Sequence, residues 1–194
     1  MTFGRVKLSA GFVLLWSLLY FFDTGGWLPL VAFAALVHEL GHWLAMRVFG
    51  KRVSQLSFGI GGINMTMSNT PLIDWKTDIF ITLAGPLASV VLACAAYFYG
   101  SWRLAGVSVV LSVVNLLPAA TLDGGRALMI LGRKMWGERG ETMVATSGTV
   151  LCLAVMLTVG VWIAMTTNGR NLTLVAMTVP LLWGMGRKQP EGMA

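Results

Sequence analysis

From Trp27 to Phe49 the chain runs through almost unbroken apolar sequence, long enough for the ~20 helical residues that a bilayer core requires. Inside that run lies Val37-His38-Glu39-Leu40-Gly41-His42-Trp43, with the only two histidines of the 194-residue chain. Their spacing puts both imidazoles on one face of a helix, one turn apart, as two ligands of a single metal ion require. Glu39 follows the first histidine directly. An ionised side chain at the centre of a bilayer costs about 2.5–3.5 kcal/mol, so the fold must supply this stretch with partners inside the membrane.

The rest of the chain agrees with that setting. It is 56% hydrophobic and only 11% charged, against about 25% charged for soluble domains. The formal charge of +6 comes from basic residues set singly at the ends of apolar runs, so they fix topology and do not bind nucleic acid. Six spans are expected, at about Leu8–Phe22, Trp27–Phe49, Asp78–Tyr99, Leu104–Leu131, Met143–Thr166 and Leu172–Met185. Arg5 and Lys7 open the chain as a signal peptide would, but no small-x-small cleavage pattern follows Phe22, so the first span is expected to stay. With the N-terminus inside, Arg5, Lys7, Arg47, Lys51, Arg52, Lys76, Arg126, Arg133, Lys134, Arg139, Arg187 and Lys188 fall on the inner side. Only Arg103 and Arg170 fall outside. That bias predicts a multi-pass cell-membrane protein with both termini cytoplasmic.

Between the second and third spans, apolar residues alternate through Ser54–Ile60 and again through Ile63–Ser68, around Gly61-Gly62. Period two around a glycine pair predicts a β-hairpin over about 53–68. It lies either at the membrane surface or within the protein beside a wet cavity, where a bilayer tolerates open strand edges. In the third span, Ala84, Gly85, Ala88 and Ser89 allow close helix packing. Cys94 and Cys152 sit in separate apolar runs and are read as fillers without a disulfide.

Deep inside the predicted spans the ionisable residues are His38, Glu39, His42 and Asp123. Two imidazoles, one carboxylate ligand and one spare carboxylate have the composition of a zinc site. Asp123 is the one carboxylate at comparable depth. His42 precedes Arg47 by five residues and Asp123 precedes Arg126 by three, and the second and fourth spans run in the same direction. Asp123-Gly124 also reads as a helix-terminating turn, and the histidines as a buried polar pair.

The pairing of His38-Glu39-Leu40-Gly41-His42 with Asn115-Leu116-Leu117-Pro118-Ala119-Ala120-Thr121-Leu122-Asp123-Gly124 resembles the site-2 protease family of intramembrane zinc metalloproteases. Ala84-Gly85-Pro86 on the intervening span is similar to that family too. The resemblance covers about Trp27 to Leu131. It implies His38, His42 and Asp123 as zinc ligands, Glu39 as catalytic base, and Asn115 and Pro118 near substrate where the helix opens. The expected fold is an all-α polytopic membrane protein of about six transmembrane helices, with a three-helix catalytic core and a short membrane-associated β-hairpin. The connections leave no room for a PDZ insertion or a CBS domain, so the chain looks like a minimal, sporulation-type member forming a single domain over 1–194.

Zinc would activate a water, and Glu39 would carry its proton. Asn115 either stabilises the oxyanion or hydrogen-bonds another helix of the bundle. Pro118 and Gly124-Gly125 are expected to open the fourth span, and an unwound substrate segment to add to a strand edge of the hairpin. The expected partners are a membrane-spanning protein substrate, the lipid bilayer and a regulatory membrane protein. A metal-binding transporter, or a non-catalytic metal-binding membrane protein, is the alternative; no internal repeat favours it.

Overall fold

The computed structural model describes residues 2–3, 6–8, 17, 19–21, 23–51, 53–59, 62–67 and 74–166, with the strands described by their backbone. The chain forms two compact units that divide at Val113/Val114. In the first, β1 (Thr2–Phe3) and β2 (Val6–Leu8) precede helix α1 (Leu28–Val48), followed by β3 (Val53–Gly59), β4 (Gly62–Met67), α2 (Trp75–Phe98) and α3 (Trp102–Asn115). The second unit takes up the end of α3, a non-helical stretch over 116–122, and α4 (Asp123–Thr166).

α1 starts where Pro29 presets the helical φ angle. Asp23 accepts hydrogen bonds there from the Trp27 and Leu28 amides at 2.9 and 2.8 Å. It stops at Gly50, whose φ of 68° belongs to the left-handed region. Lys51 N–H donates to the Met46 carbonyl and Gly50 N–H to that of Arg47, so the last orphan carbonyls are satisfied. α2 ends the same way: Gly100 takes φ 75°, Ser101 donates to Ala96 and Gly100 to Tyr97.

Residues of α1, α2 and α4 give three helices long and apolar enough to cross a membrane. Their outward side chains are large and apolar, among them Leu36, Leu44, Val91, Leu151 and Val155, while the largest fully buried side chains of the described residues are Thr149, Ser89 and Ser108. A water-soluble domain shows the reverse. The chain is a membrane protein.

The sheet order is β1-β2-β3-β4. β3 and β4 pair antiparallel from Gly59↔Gly62 to Val53↔Met67, so Gly62 opens β4. β2 pairs parallel with β3, Val6 opposite Leu56 and Leu8 opposite Phe58. Two expectations change. Leu8 ends a strand where a span was expected to begin, and the edge beside β3 is taken by β2, so that among the described residues β4 is the hairpin's outer strand. Residues 17 and 19–21 are helical; the remainder of the first expected span and all of the sixth lie outside the described residues.

The fourth expected span is not one helix. α3 stops at Asn115 and α4 begins at Asp123. The break falls at Leu116–Leu122, and Gly124 and Gly125, expected to help open the helix, lie inside the first turn of α4. A Cβ on Gly124 would run into the Leu116 carbonyl, and one on Gly125 into the Ala119 carbonyl. These glycines are needed because the unwound segment lies directly on the helix start.

The polar stretch 132–141, expected as a loop, is helical on both sides of a corner at Gly137 (φ 66°, ψ −157°). The two arms pack through Gly132 and Gly140, each of whose missing Cβ leaves space for the other's carbonyl. Cys94 and Cys152 are both free thiols.

Candidate metal centre

In the first unit, α1 and α2 approach through small residues. A Cβ on Gly41 would lie 2.5 Å from the Ala84 carbonyl oxygen and 2.7 Å from the Ala88 Cβ. At the next position along each helix, the His42 ring occupies the space that a Cβ on Gly85 would need. The small residues of α2, read from sequence as packing residues, therefore bring the α2 backbone against His42 and the Ser89 hydroxyl against His38.

His38 is 5% exposed and its Nδ1 lies 3.0 Å from the hydroxyl of Ser89, itself fully buried. His42 Nδ1 lies 2.8 Å from the carbonyl oxygen of Ile81. Each ring is thus held through Nδ1 by a hydrogen-bond partner on α2, the way metal-ligating histidines are oriented by a second partner. The Nε2 atoms are turned toward one another, 3.3 Å apart, with the ring planes at 80°. Two nitrogens, each about 2.0–2.1 Å from a tetrahedral zinc ion, would be separated by about 3.3–3.4 Å. The histidine pair has the spacing of two zinc ligands. Glu39, half-buried, extends from the same turn of α1.

In the second unit, Asn115 is the last residue of α3 and Asp123 the first of α4, with Pro118 in the stretch between them. All three are half-buried. The Ala120 amide donates to the hydroxyl oxygen of Thr149 at 2.9 Å, and that hydroxyl donates to the Ala145 carbonyl at 2.7 Å. Gly148 makes room for the Pro118 carbonyl. Ala119 is buried with Cys152 and Leu153, against Leu117, Leu122 and Met156. An unwound backbone inside a membrane must be satisfied by protein, and here Thr149 supplies part of that.

Among the described residues, His38 and His42 of the first unit and Asp123 of the second are donors of the types that hold a metal ion. Two imidazoles and one carboxylate fit zinc. Glu39 is not in that donor group. Sequence reasoning named all four. It missed Ser89, Ile81 and Thr149: Ser89 looked like a small packing residue, the Ile81 contact is made by a carbonyl common to every residue, and Thr149 lies far along the chain.

No protein-family model matches the sequence. The chain is 36% identical to stage IV sporulation protein FB of Bacillus subtilis over 147 residues, covering 66% of this chain and 46% of that protein. It is 30% identical to a zinc metalloprotease of Methanocaldococcus jannaschii over 138 residues, 64% of this chain and 40% of the relative. A putative zinc metalloprotease of Mycobacterium tuberculosis, Rip3, is 29% identical over 174 residues, 72% and 42% of the two chains. The solved site-2 protease of Methanocaldococcus jannaschii has the same fold, with a TM-score of 0.70 at 18% identity, over 96% of this chain and 92% of that one. The chain is similar in sequence to zinc metalloproteases and in fold to a site-2 protease. The matches span less than half the length of these curated relatives. The chain's His-Glu-x-x-His stretch lies on α1 and its Asn-x-x-Pro-x-x-x-x-Asp-Gly stretch spans the break between α3 and α4.

Proposed function

We propose that this chain is an intramembrane zinc metalloprotease that hydrolyses peptide bonds within or near the membrane-spanning segments of other proteins. The observation that carries the reading is the 3.3 Å separation of the two Nε2 atoms, with a carboxylate beside the first histidine. His38, His42 and Asp123 are the zinc ligands. The bound ion would supply Lewis acidity, lowering the pKa of a water toward about 7 and polarising the scissile carbonyl.

Glu39 takes the proton of the attacking water and delivers it to the leaving nitrogen as the C–N bond breaks. The side-chain amide of Asn115 donates a hydrogen bond to the carbonyl oxygen as it gains negative charge. Pro118, in the non-helical stretch, borders the substrate backbone. A transmembrane helix hides its peptide bonds, so a substrate must first unwind, and an extended segment can then add to the outer edge of β4. The terminal place of β4 in the sheet order supports that route. Proline introduced across Gly62–Met67 should slow cleavage while zinc content stays normal; cleavage at the original rate would sink the β4 route.

The domain is a single membrane metalloprotease domain with a catalytic core of about 27–131. It has six spans, a membrane-associated hairpin and both termini in the cytoplasm, as the placement of Lys and Arg indicates. Its partners are a membrane-spanning substrate and a regulatory membrane protein. Co-expression with candidate single-span proteins tests the reading. Glu39→Gln is expected to abolish cleavage with zinc still bound, and cleavage that survives this change would overturn the assignment.

A further inference from the structure

Buried hydroxyls on the helices of this chain are tied to the carbonyl one turn earlier. Ser89 donates to Gly85, Ser108 to Leu104 and Thr149 to Ala145. Thr82 on α2 does not follow them. Its side chain is 3% exposed, and its hydroxyl is buried with no hydrogen-bond partner among the described residues. Four positions further on, Pro86 lies inside α2 and has no N–H, so the Thr82 carbonyl lacks the donor that an interior helix carbonyl receives. α3 does reach this part of α2, but at another atom: the Ser112 hydroxyl donates to the carbonyl of Pro86 itself at 3.1 Å.

The place of Thr82 on the helix ties it to the histidines. Thr82, Gly85 and Ser89 stand three and then four residues apart, and so share one side of α2. Gly85 makes room for the His42 ring and Ser89 lies 3.0 Å from His38. Since the earlier histidine meets the later α2 residue, the two helices run antiparallel. Thr82 therefore stands one turn beyond His42, toward the end of the pair that carries Arg47 on α1 and Lys76 and Asp78 on α2. The neighbouring Ile81 carbonyl holds His42 Nδ1 at 2.8 Å.

We propose that the Thr82 hydroxyl and the carbonyl released by Pro86 bind a water molecule within the membrane-spanning part of α2, one turn from His42. A buried hydroxyl left unbonded costs free energy. Water can give one hydrogen to the carbonyl and bond the hydroxyl with the rest of its capacity. Hydrolysis consumes one water for each peptide bond, and the bilayer core holds none, so this molecule is a reserve beside the histidine pair. That role rests on the metalloprotease reading; the binding site does not.

Thr82→Val keeps the shape of the side chain and removes the hydroxyl, which makes the sign of its effect decisive. With water bound, valine strips the water of a partner, and the melting temperature of the protein in detergent should fall by about 2–4 °C. Thr82→Ser should stay close to wild type. A hydroxyl that binds nothing is better replaced by a methyl group, so an equal or higher melting temperature in Thr82→Val would overturn the proposal. In protein deuterated except at threonine methyls, the Thr82 methyl should show an NMR cross-peak to water, while Thr149, whose hydroxyl is already bonded, should not. A silent Thr82 methyl would overturn the site as well. Neither readout involves zinc or cleavage, so both stand apart from the Glu39→Gln experiment. The reserve role has its own measurement: Thr82→Val should lower kcat several-fold with KM and zinc content near wild type, and an unchanged kcat would overturn that role.

Discussion

The helix pair α1–α2 and the break between α3 and α4 both depend on glycine, but what fills the missing Cβ differs. At Gly85 it is the ring of His42; at Gly125 it is the backbone carbonyl of Ala119. A ring can rotate away, whereas a backbone segment must be rebuilt. The histidines are therefore aimed by side chains on a regular helix, and Asp123 by the path of the main chain. Gly125→Ala should be the most damaging single change, costing about 3 kcal/mol or more because overpacking here meets backbone, and it should lower thermal stability in detergent. Gly85→Ala should leave the melting temperature close to wild type while weakening zinc by at least 10-fold, since the ring is displaced from its place. Equal stability losses in the two variants would show that the distinction between ring and backbone is false.

Thr149 makes the dependence of the break on its surroundings measurable. Its side chain is 1% exposed, and its oxygen serves both the Ala120 amide and the Ala145 carbonyl. Thr149→Val keeps the shape but leaves the Ala120 N–H without that acceptor, a buried loss worth about 1–3 kcal/mol. The expected result is a lower melting temperature and faster amide exchange over Leu117–Leu122, with the exchange of α1 unchanged. Protection of the Ala120 amide equal to wild type would mean that another group holds the segment.

The same contrast explains what could be read from the sequence. Hydropathy and turn chemistry place α1 and α2 within a few residues, because apolar length and the glycines at Gly50 and Gly100 are local signals. The break in the fourth span was only half visible: Pro118 marked it. Leu116, Leu117, Ala119 and Ala120 keep the run apolar while the backbone leaves the helix, and its partner Thr149 is distant in sequence. Gly124 and Gly125 misled for a physical reason. Glycine disfavours an isolated helix, but here it is what lets a helix begin under a packed turn. The charges over 132–141 suggested a loop, yet one glycine at positive φ turns the chain while its neighbours stay helical. The parallel pairing of β2 with β3 had no local signal, since a three-residue strand takes its register from a partner some fifty residues away. The candidate site residues could be named because two histidines and two carboxylates stand out against an apolar background. The partners that orient the rings could not, because a serine and a carbonyl do not stand out there.

The smallest expected effect lies at the start of α1, outside the apolar spans. There Asp23 receives the Leu28 and Trp27 amides, and Arg103 stacks on the Trp27 ring at 4.2 Å while donating to the Gly25 carbonyl. The hydrogen bond from Leu28, then that from Trp27, holds the Asp23 carboxyl below its ordinary value of 3.8. A carboxyl lowered on folding contributes stability that is fully present above its unfolded pKa and is lost as pH falls through its folded pKa. The contribution is therefore constant at neutral pH and fades only below about 4. Because the carboxylate is open to solvent, the effect should be local fraying of α1 and not unfolding. Protection of the Trp27 and Leu28 amides should drop on acidification below that value in the wild-type protein. In Asp23→Ala it should already be low at neutral pH and change little with acid. An acid-induced loss of the same size in Asp23→Ala would assign the fraying to another group. The histidine pair, two to four turns further along α1 and held by α2, should keep its amide protection throughout.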